Sequence, residues 1–217
     1  MSIVIVGAGP NLGAAVARRF GGEGMAVGLI SRDRAKLETL AGELRAEGLT
    51  ADVEPADIRD ADGLAVAIGA LAKRLGPVEV LEYSPLPAKE SMKPILETTV
   101  DDVRGPLEFS VLGAVAAARA VLPPMLDAGR GTILFTTGGA AINPYPLRAG
   151  VGISFAGEVA YARMLHDELR DHGIHVAHTA IGGRIAPGED HEPADVADLL
   201  WRHHTERARF QVLLGID

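Results

Sequence analysis

The chain has 217 residues, with 21 Lys plus Arg against 29 Asp plus Glu, a formal net charge of −8. That balance leaves no excess cation for neutralising phosphates and excludes a general nucleic-acid surface. Cysteine is absent, which also excludes disulfides, thiolate metal sites and cysteine nucleophiles.

Six rounds of strand and helix follow in chain order. Ile3–Val6 reads as a buried strand stopped by Gly7, and a helix runs from about Leu12 to Phe20. Strand Met25–Ile30 comes next, and Asp33 is placed to cap a helix reaching about Glu47. Thr50–Glu54 is the third strand, and Asp60 opens a helix to Leu75. Strand Val78–Leu81 leads into a Pro-rich loop, Ser84–Pro94, and a long helix from about Asp101 to Leu122, ended by Pro123-Pro124. Thr132–Thr136 is the fifth strand, followed by a helix over about Val151–His172, strand Val176–Ala180, helix Glu192–His203 and strand Phe210–Leu214.

Parallel strands need crossovers, so this alternation predicts one doubly wound α/β domain over 1–217: a Rossmann fold with about seven parallel strands and helices on both faces. No signal peptide is expected at the N-terminus, and no membrane span; the longest apolar candidate, Val111–Leu126, is broken by Arg119. A cytoplasmic protein is the expectation.

Ligands of such sheets bind beyond the carboxyl ends of the strands. Gly7-Ala8-Gly9-Pro10-Asn11-Leu12-Gly13 lies between the first strand and first helix, where glycines let backbone approach a pyrophosphate and the helix N-terminus presents unpaired N–H groups. A tight βα turn without a ligand is the competing reading. After the second strand comes Ser31-Arg32, where an arginine pairs with a 2′-phosphate and an acidic residue would instead bind the ribose 2′-hydroxyl. NADP is therefore expected over NAD. Asp57-Ile58, after the third strand, would bracket an adenine, with an ordinary turn aspartate as the alternative.

These residues, with Leu122-Pro123-Pro124-Met125, Gly131–Phe135 and His172-Gly173-Ile174-His175-Val176, resemble the short-chain dehydrogenase/reductase family over essentially the whole chain. The resemblance implies an NAD(P)-binding fold, a small carbonyl or alcohol substrate, and a homodimer or homotetramer. It aligns the family's glycines with Gly7, Asn11 and Gly13, so Asn11 replaces the middle one and Gly9 is an extra. It also places Glu82-Tyr83-Ser84-Pro85 where the family has Asn-Ala-Gly, with Ser84 against the cofactor.

The catalytic end departs from the family. The resemblance puts the family tyrosine, which protonates the substrate oxygen, at Val151, and the family lysine, which grips the nicotinamide ribose, at Phe155. The serine falls at Thr137 or Gly138 and the asparagine at Ser110. No shift of alignment rescues the pair, because the residues four beyond Tyr83, Tyr145 and Tyr161 are Pro87, Ala149 and Leu165, and every lysine (Lys36, Lys73, Lys89, Lys93) precedes residue 94. An alkoxide formed by hydride delivery still needs a positioned donor, worth about 10²–10⁴-fold in rate.

Thr137 and Tyr145 are the candidate catalytic residues, with a strand-end threonine and a loop wall residue as the plain alternatives. Glu82 is either a base with a burial-raised pKa or a rim carboxylate paired to arginine. Ser154 neighbours the lost lysine position, and Arg148 and Arg184 are candidate anion binders. The helix opening around Gly150, Gly152 and Gly157 either admits a close neighbour or starts only near Phe155. His203-His204, at a helix end, suits cationic side chains, and no histidine pair has metal-ligand spacing. An atypical NADP-dependent oxidoreductase is the leading expectation. A non-redox enzyme on this fold (cyclisation, isomerisation or elimination) and a catalytically silent nucleotide sensor are the alternatives.

Overall fold

The computed structural model describes residues 1–87 and 92–216; Lys89 and part of the Pro-rich loop lie outside the described residues. Seven strands, β1 (Ser2–Val6), β2 (Ala26–Ser31), β3 (Ala51–Pro55), β4 (Val78–Tyr83), β5 (Gly131–Gly138), β6 (Ile174–Ile181) and β7 (Gln211–Leu214), form one sheet in the order β3-β2-β1-β4-β5-β6-β7. Every pairing is parallel. The order reverses between β1 and β4, which opens a crevice at their carboxyl ends.

Both faces are covered. Ile3 and Ile5 of β1 point to the side of α1 (Leu12–Gly22), α2 (Arg34–Ala46) and α7 (Pro193–Glu206). Val4 and Val6 point to the side of α3 (Ala61–Leu75), α5 (Gly113–Ala128) and α6 (Ala149–Leu169). Period-2 alternation between two apolar cores explains why the strands read as continuous apolar runs. Asp33 and Asp60 cap α2 and α3 as expected, accepting from Lys36 N at 3.1 Å and Gly63 N at 3.0 Å.

The long helical segment differs from expectation. It starts with α4 (Val100–Leu107), widens into a π-helical turn over Glu108–Leu112, and continues as α5 through Pro123 and Pro124 to Ala128. The proline pair does not end it, because Val121 and Met125 keep packing on the sheet on either side. Together Val100–Ala128 is long and apolar enough to cross a membrane. Its apolar character has another use here: Gly113, Ala114, Ala117, Ala118, Val121 and Met125 are buried inside the protein.

α6 starts at Ala149 rather than near Phe155, so its glycines are truly helical. A Cβ at Gly157 would lie 3.0 Å from Val111 Cγ2, which makes this glycine a point of close approach by the π-turn. Gly113 is tighter still, since its Cβ would run into Tyr83 Oη and lie 3.0 Å from Ile58 O. Gly113→Ala is therefore expected to cost about 1–3 kcal/mol of stability by overpacking, read from urea unfolding. Wild-type stability for this variant would show that α5 can shift freely off β4.

Candidate functional site

The carboxyl ends of β1 and β4 touch through the glycine loop. Gly7 has φ 97°, and a Cβ there would sit 2.8 Å from the Pro85 N and Cα atoms. Gly13 lies against Ala8 at 2.9 Å in the same sense, drawing α1 onto the strand end. At Gly9 a Cβ would meet only Gly7 O, at 3.8 Å, so that face of the loop stays open.

Asn11 is the N-cap of α1 but makes no side-chain cap, and the first turn holds no acidic residue. The α2, α3 and α4 N-termini, by contrast, are capped by Asp33, Asp60 and Thr99. Ala14 N and Ala15 N reach back to Gly9 O and Asn11 O. The N–H groups ahead of them, on Asn11, Leu12 and Gly13, are unpaired among the described residues. Unpaired donors at the positive end of a helix dipole form an anion site.

Ser31 and Arg32 follow β2. Arg32 is exposed and makes no ion pair among the described residues, unlike its neighbour Arg34, which reaches Glu38 at 3.7 Å. Asp57 accepts from Arg59 N at 3.0 Å, as a turn aspartate does, and is exposed. Ile58 is half-buried, packed against both the Phe109–Val151–Phe155 cluster and the main core. The adenosine and pyrophosphate part of a dinucleotide fits these residues.

The half of the crevice over β4, β5 and β6 is different. Val151 and Phe155 cluster with Phe109, all buried, and the Phe109 and Phe155 rings meet edge to face at 6.1 Å. Thr137 is buried and its Oγ1 lies 2.8 Å from His178 Nε2, whose Nδ1 lies 3.0 Å from Gln211 Nε2. Ser84 Oγ donates to Glu82 Oε2 at 2.9 Å. Ser154 is buried too and donates to Val151 O at 3.1 Å. Tyr145 stands 54% exposed in the loop before α6. Thr137 is thus buried and Tyr145 stands at the surface.

Glu82 is no rim carboxylate. It is fully buried, with no arginine paired to it among the described residues, and burial pushes its pKa up to about 8 against the opposing pull of the Ser84 hydroxyl. Sequence reasoning missed its counterpart. Glu158 on α6 is also buried, hydrogen-bonded to Ser110 in the π-turn, and held up to about 8 by burial and by the Glu82 charge. One oxygen of each carboxyl has no partner among the described residues. The signal for Glu158 was its spacing, since Val151, Phe155, Glu158 and Ala162 trace one buried helical stripe.

Other expectations change as well. Arg184 is paired with Glu189 at 3.5 Å. Burial lowers the pKa values of His203 and His204, which works against the cationic forms the helix dipole would favour, and His204 Nδ1 meets Thr132 Oγ1 at 2.9 Å. No group of three metal-ligating side chains occurs among the described residues.

A profile of the short chain dehydrogenase family matches residues 1–189. The chain belongs to the short-chain dehydrogenase family. A family member from Rhodopseudomonas palustris superposes with a TM-score of 0.88 at 27% identity, covering 100% of this chain and 98% of that one. A metagenomic short-chain oxidoreductase, solved in complex with NADP, superposes at 0.86 and 26% identity, covering 100% and 97%. A putative ketoacyl reductase from Streptomyces coelicolor is 36% identical over 78 residues, 36% of this chain and 30% of that protein. Such matches to curated relatives cover only about a third of the relatives' own length. Within this oxidoreductase family, the chain carries Asn11 in its glycine loop and Val151 and Phe155 on α6, neither of which donates a proton.

Proposed function

We propose that the protein is a cytoplasmic, NADP(H)-dependent oxidoreductase of a small carbonyl or alcohol compound, in which all 217 residues act as one nucleotide-binding domain. The observation that carries this is the uncapped α1 N-terminus behind Gly7 and Gly9, with Arg32 exposed after β2 and without an ion partner among the described residues. Gly7, Gly9, Asn11, Leu12 and Gly13 hold the pyrophosphate, Ser31 and Arg32 the 2′-phosphate, Asp57 and Ile58 the adenine, and Ser84 the far ribose. NADP is favoured over NAD because a guanidinium pairs with a phosphate. A bound nicotinamide would supply the hydride. Tyr145, exposed at the rim, and Thr137, oriented by His178, are the hydroxyls offered to the substrate oxygen. Exposed Leu112, Ile153 and Met164 on the π-turn and α6 support a homodimer or homotetramer.

A second reading, a nucleotide-binding sensor or a non-redox enzyme on this fold, is favoured by Val151 and Phe155 filling the family's donor positions. Fluorescence titration with NADPH, followed by absorbance against a panel of carbonyl compounds, separates the two. The oxidoreductase reading expects saturable binding, weakened about tenfold or more by Arg32→Ala, and turnover reduced about 10²-fold or more by Tyr145→Phe. Tight binding without turnover on any carbonyl would leave the sensor.

A further inference from the structure

A second cleft lies at the end of the sheet opposite the glycine loop. All strands run parallel, so the turn from α7 into β7, over residues 207–210, sits at their amino ends. Between the last turns of α7 and the edge strand β7, a cleft of about 330 Å³ is lined by Arg202, His203, Glu206 and Arg209, with Leu199 and Val212 as its apolar wall. That volume suits a small molecule.

Arg202, Glu206 and Arg209 are exposed, while Leu199 and Val212 are half-buried. Neither arginine makes an ion pair among the described residues, with Glu206 or with any other carboxylate. His203 closes the inner side: it is 6% exposed, and its Nε2 has no hydrogen-bond partner among the described residues. Burial lowers its pKa and the Arg202 charge adds to that, with Glu206 opposing and Arg209 reinforcing. Three charged side chains thus surround one imidazole, which is neutral at pH 7.

Counting charges gives the ligand class. Two guanidinium groups and one carboxylate leave the cleft with one positive charge. A monoanion balances it, whereas a dianionic phosphate monoester brings a second charge against Glu206. Planar guanidinium groups match a carboxylate in two-point contact, and the Leu199–Val212 wall accepts an apolar body. We propose that the α7–β7 cleft binds a small monocarboxylate with an apolar tail, its carboxylate held by Arg202 and Arg209 and its tail laid against Leu199 and Val212. The site shares no residue with the nucleotide crevice, so it stands whether or not NADP(H) binds.

Trp201, the only tryptophan of the chain, provides the readout. It precedes Arg202 on α7 and packs edge to face on Phe20 of α1, with ring centroids 5.0 Å apart. Titration of the full chain with hexanoate is expected to change Trp201 fluorescence saturably in the millimolar range or below, with calorimetry as a check independent of the fluorophore. Hexan-1-ol, with the same tail and no charge, and hexyl phosphate are each expected to bind about tenfold more weakly. Arg202→Gln and Arg209→Gln each weaken hexanoate about tenfold, and Glu206→Gln narrows the gap between hexanoate and hexyl phosphate. No saturable hexanoate binding, or equal binding of hexanoate and hexan-1-ol, would overturn the proposal. Unchanged hexanoate affinity in both arginine variants would overturn it too, and hexyl phosphate binding more tightly than hexanoate would overturn the monoanion class. Altered sedimentation of the arginine variants without hexanoate binding to the wild type would make the cleft an interface between copies of the chain instead.

Discussion

Raising the pH from about 7 to about 9 should destabilise the protein, and Glu158→Gln should remove a large part of that loss. Glu82 and Glu158 are both buried, and their pKa values stand near 8 against an ordinary 4.5. Desolvation is the chief cause in each, and the Glu82 charge adds to it at Glu158. The folded chain therefore holds protons that the unfolded chain releases. The stability from each carboxyl is fully present below pH 4.5 and is lost as pH rises through about 8. The whole span is worth at most about 5 kcal/mol per carboxyl, at roughly 1.4 kcal/mol per pH unit.

Glutamine copies the neutral acid in shape. Glu158→Gln should be more stable than wild type by several kcal/mol, about 2–5, near pH 9, with a shallower pH slope. Glu158→Ala should instead lose about 2–4 kcal/mol near neutral pH, because it opens a cavity and strands the Ser110 hydroxyl. The histidines act at the other end. His175 and His178 are depressed to about 4 by burial, so their contribution is full above pH 6.5 and is lost as pH falls. Urea unfolding on the alkaline side therefore isolates the carboxyls. A flat profile from about pH 7 to 9, or a Gln variant as weak as the Ala variant, would refute buried neutral acids here.

Two glycines of one loop should separate folding from binding. Gly7 is left-handed at φ 97°, and a side chain there meets the backbone of Ser84 and Pro85 at 2.8–2.9 Å. Backbone cannot swing aside as a flexible side chain can. Gly7→Ala should cost about 2–5 kcal/mol, the sum of left-handed strain and overpacking, and should abolish NADPH binding with the loop. Gly9 has no such constraint, its nearest contact being Gly7 O at 3.8 Å. Gly9→Ala should leave stability within about 0.5 kcal/mol while weakening NADPH about tenfold or more, because the methyl group occupies the open face. Thermal unfolding and fluorescence titration of both variants check the pair. Full NADPH affinity in Gly9→Ala would remove that face from the binding site.

The helix caps and the glycine loop were legible because their signals are local. Asp33 and Asp60 bond an N–H three residues on, and Gly7 ends an apolar run at the strand terminus. The absence of any Tyr-x-x-x-Lys was legible from the sequence alone. The fate of the remaining polar groups was not. Glu82 looked equally suited to a rim or an interior, and Pro123-Pro124 looked like a stop signal that packing by Val121 and Met125 overrode.

Strand–helix alternation, the parallel sheet, the glycine-rich turn after the first strand and the absence of any Tyr-x-x-x-Lys are properties of the sequence by itself. Each depends on residues within a few positions of one another or on simple presence and absence. Only the tertiary structure decided that Glu82 and Glu158 are buried acids, that Thr137 meets His178 and through it Gln211, and that Phe109, Val151 and Phe155 form one buried cluster. The bonds of Glu158 to Ser110 and of His178 to Thr137 and Gln211 span 33 to 48 residues of sequence. A buried polar group takes its partner and its protonation state from whatever the fold brings within about 3 Å, and no local spacing encodes that.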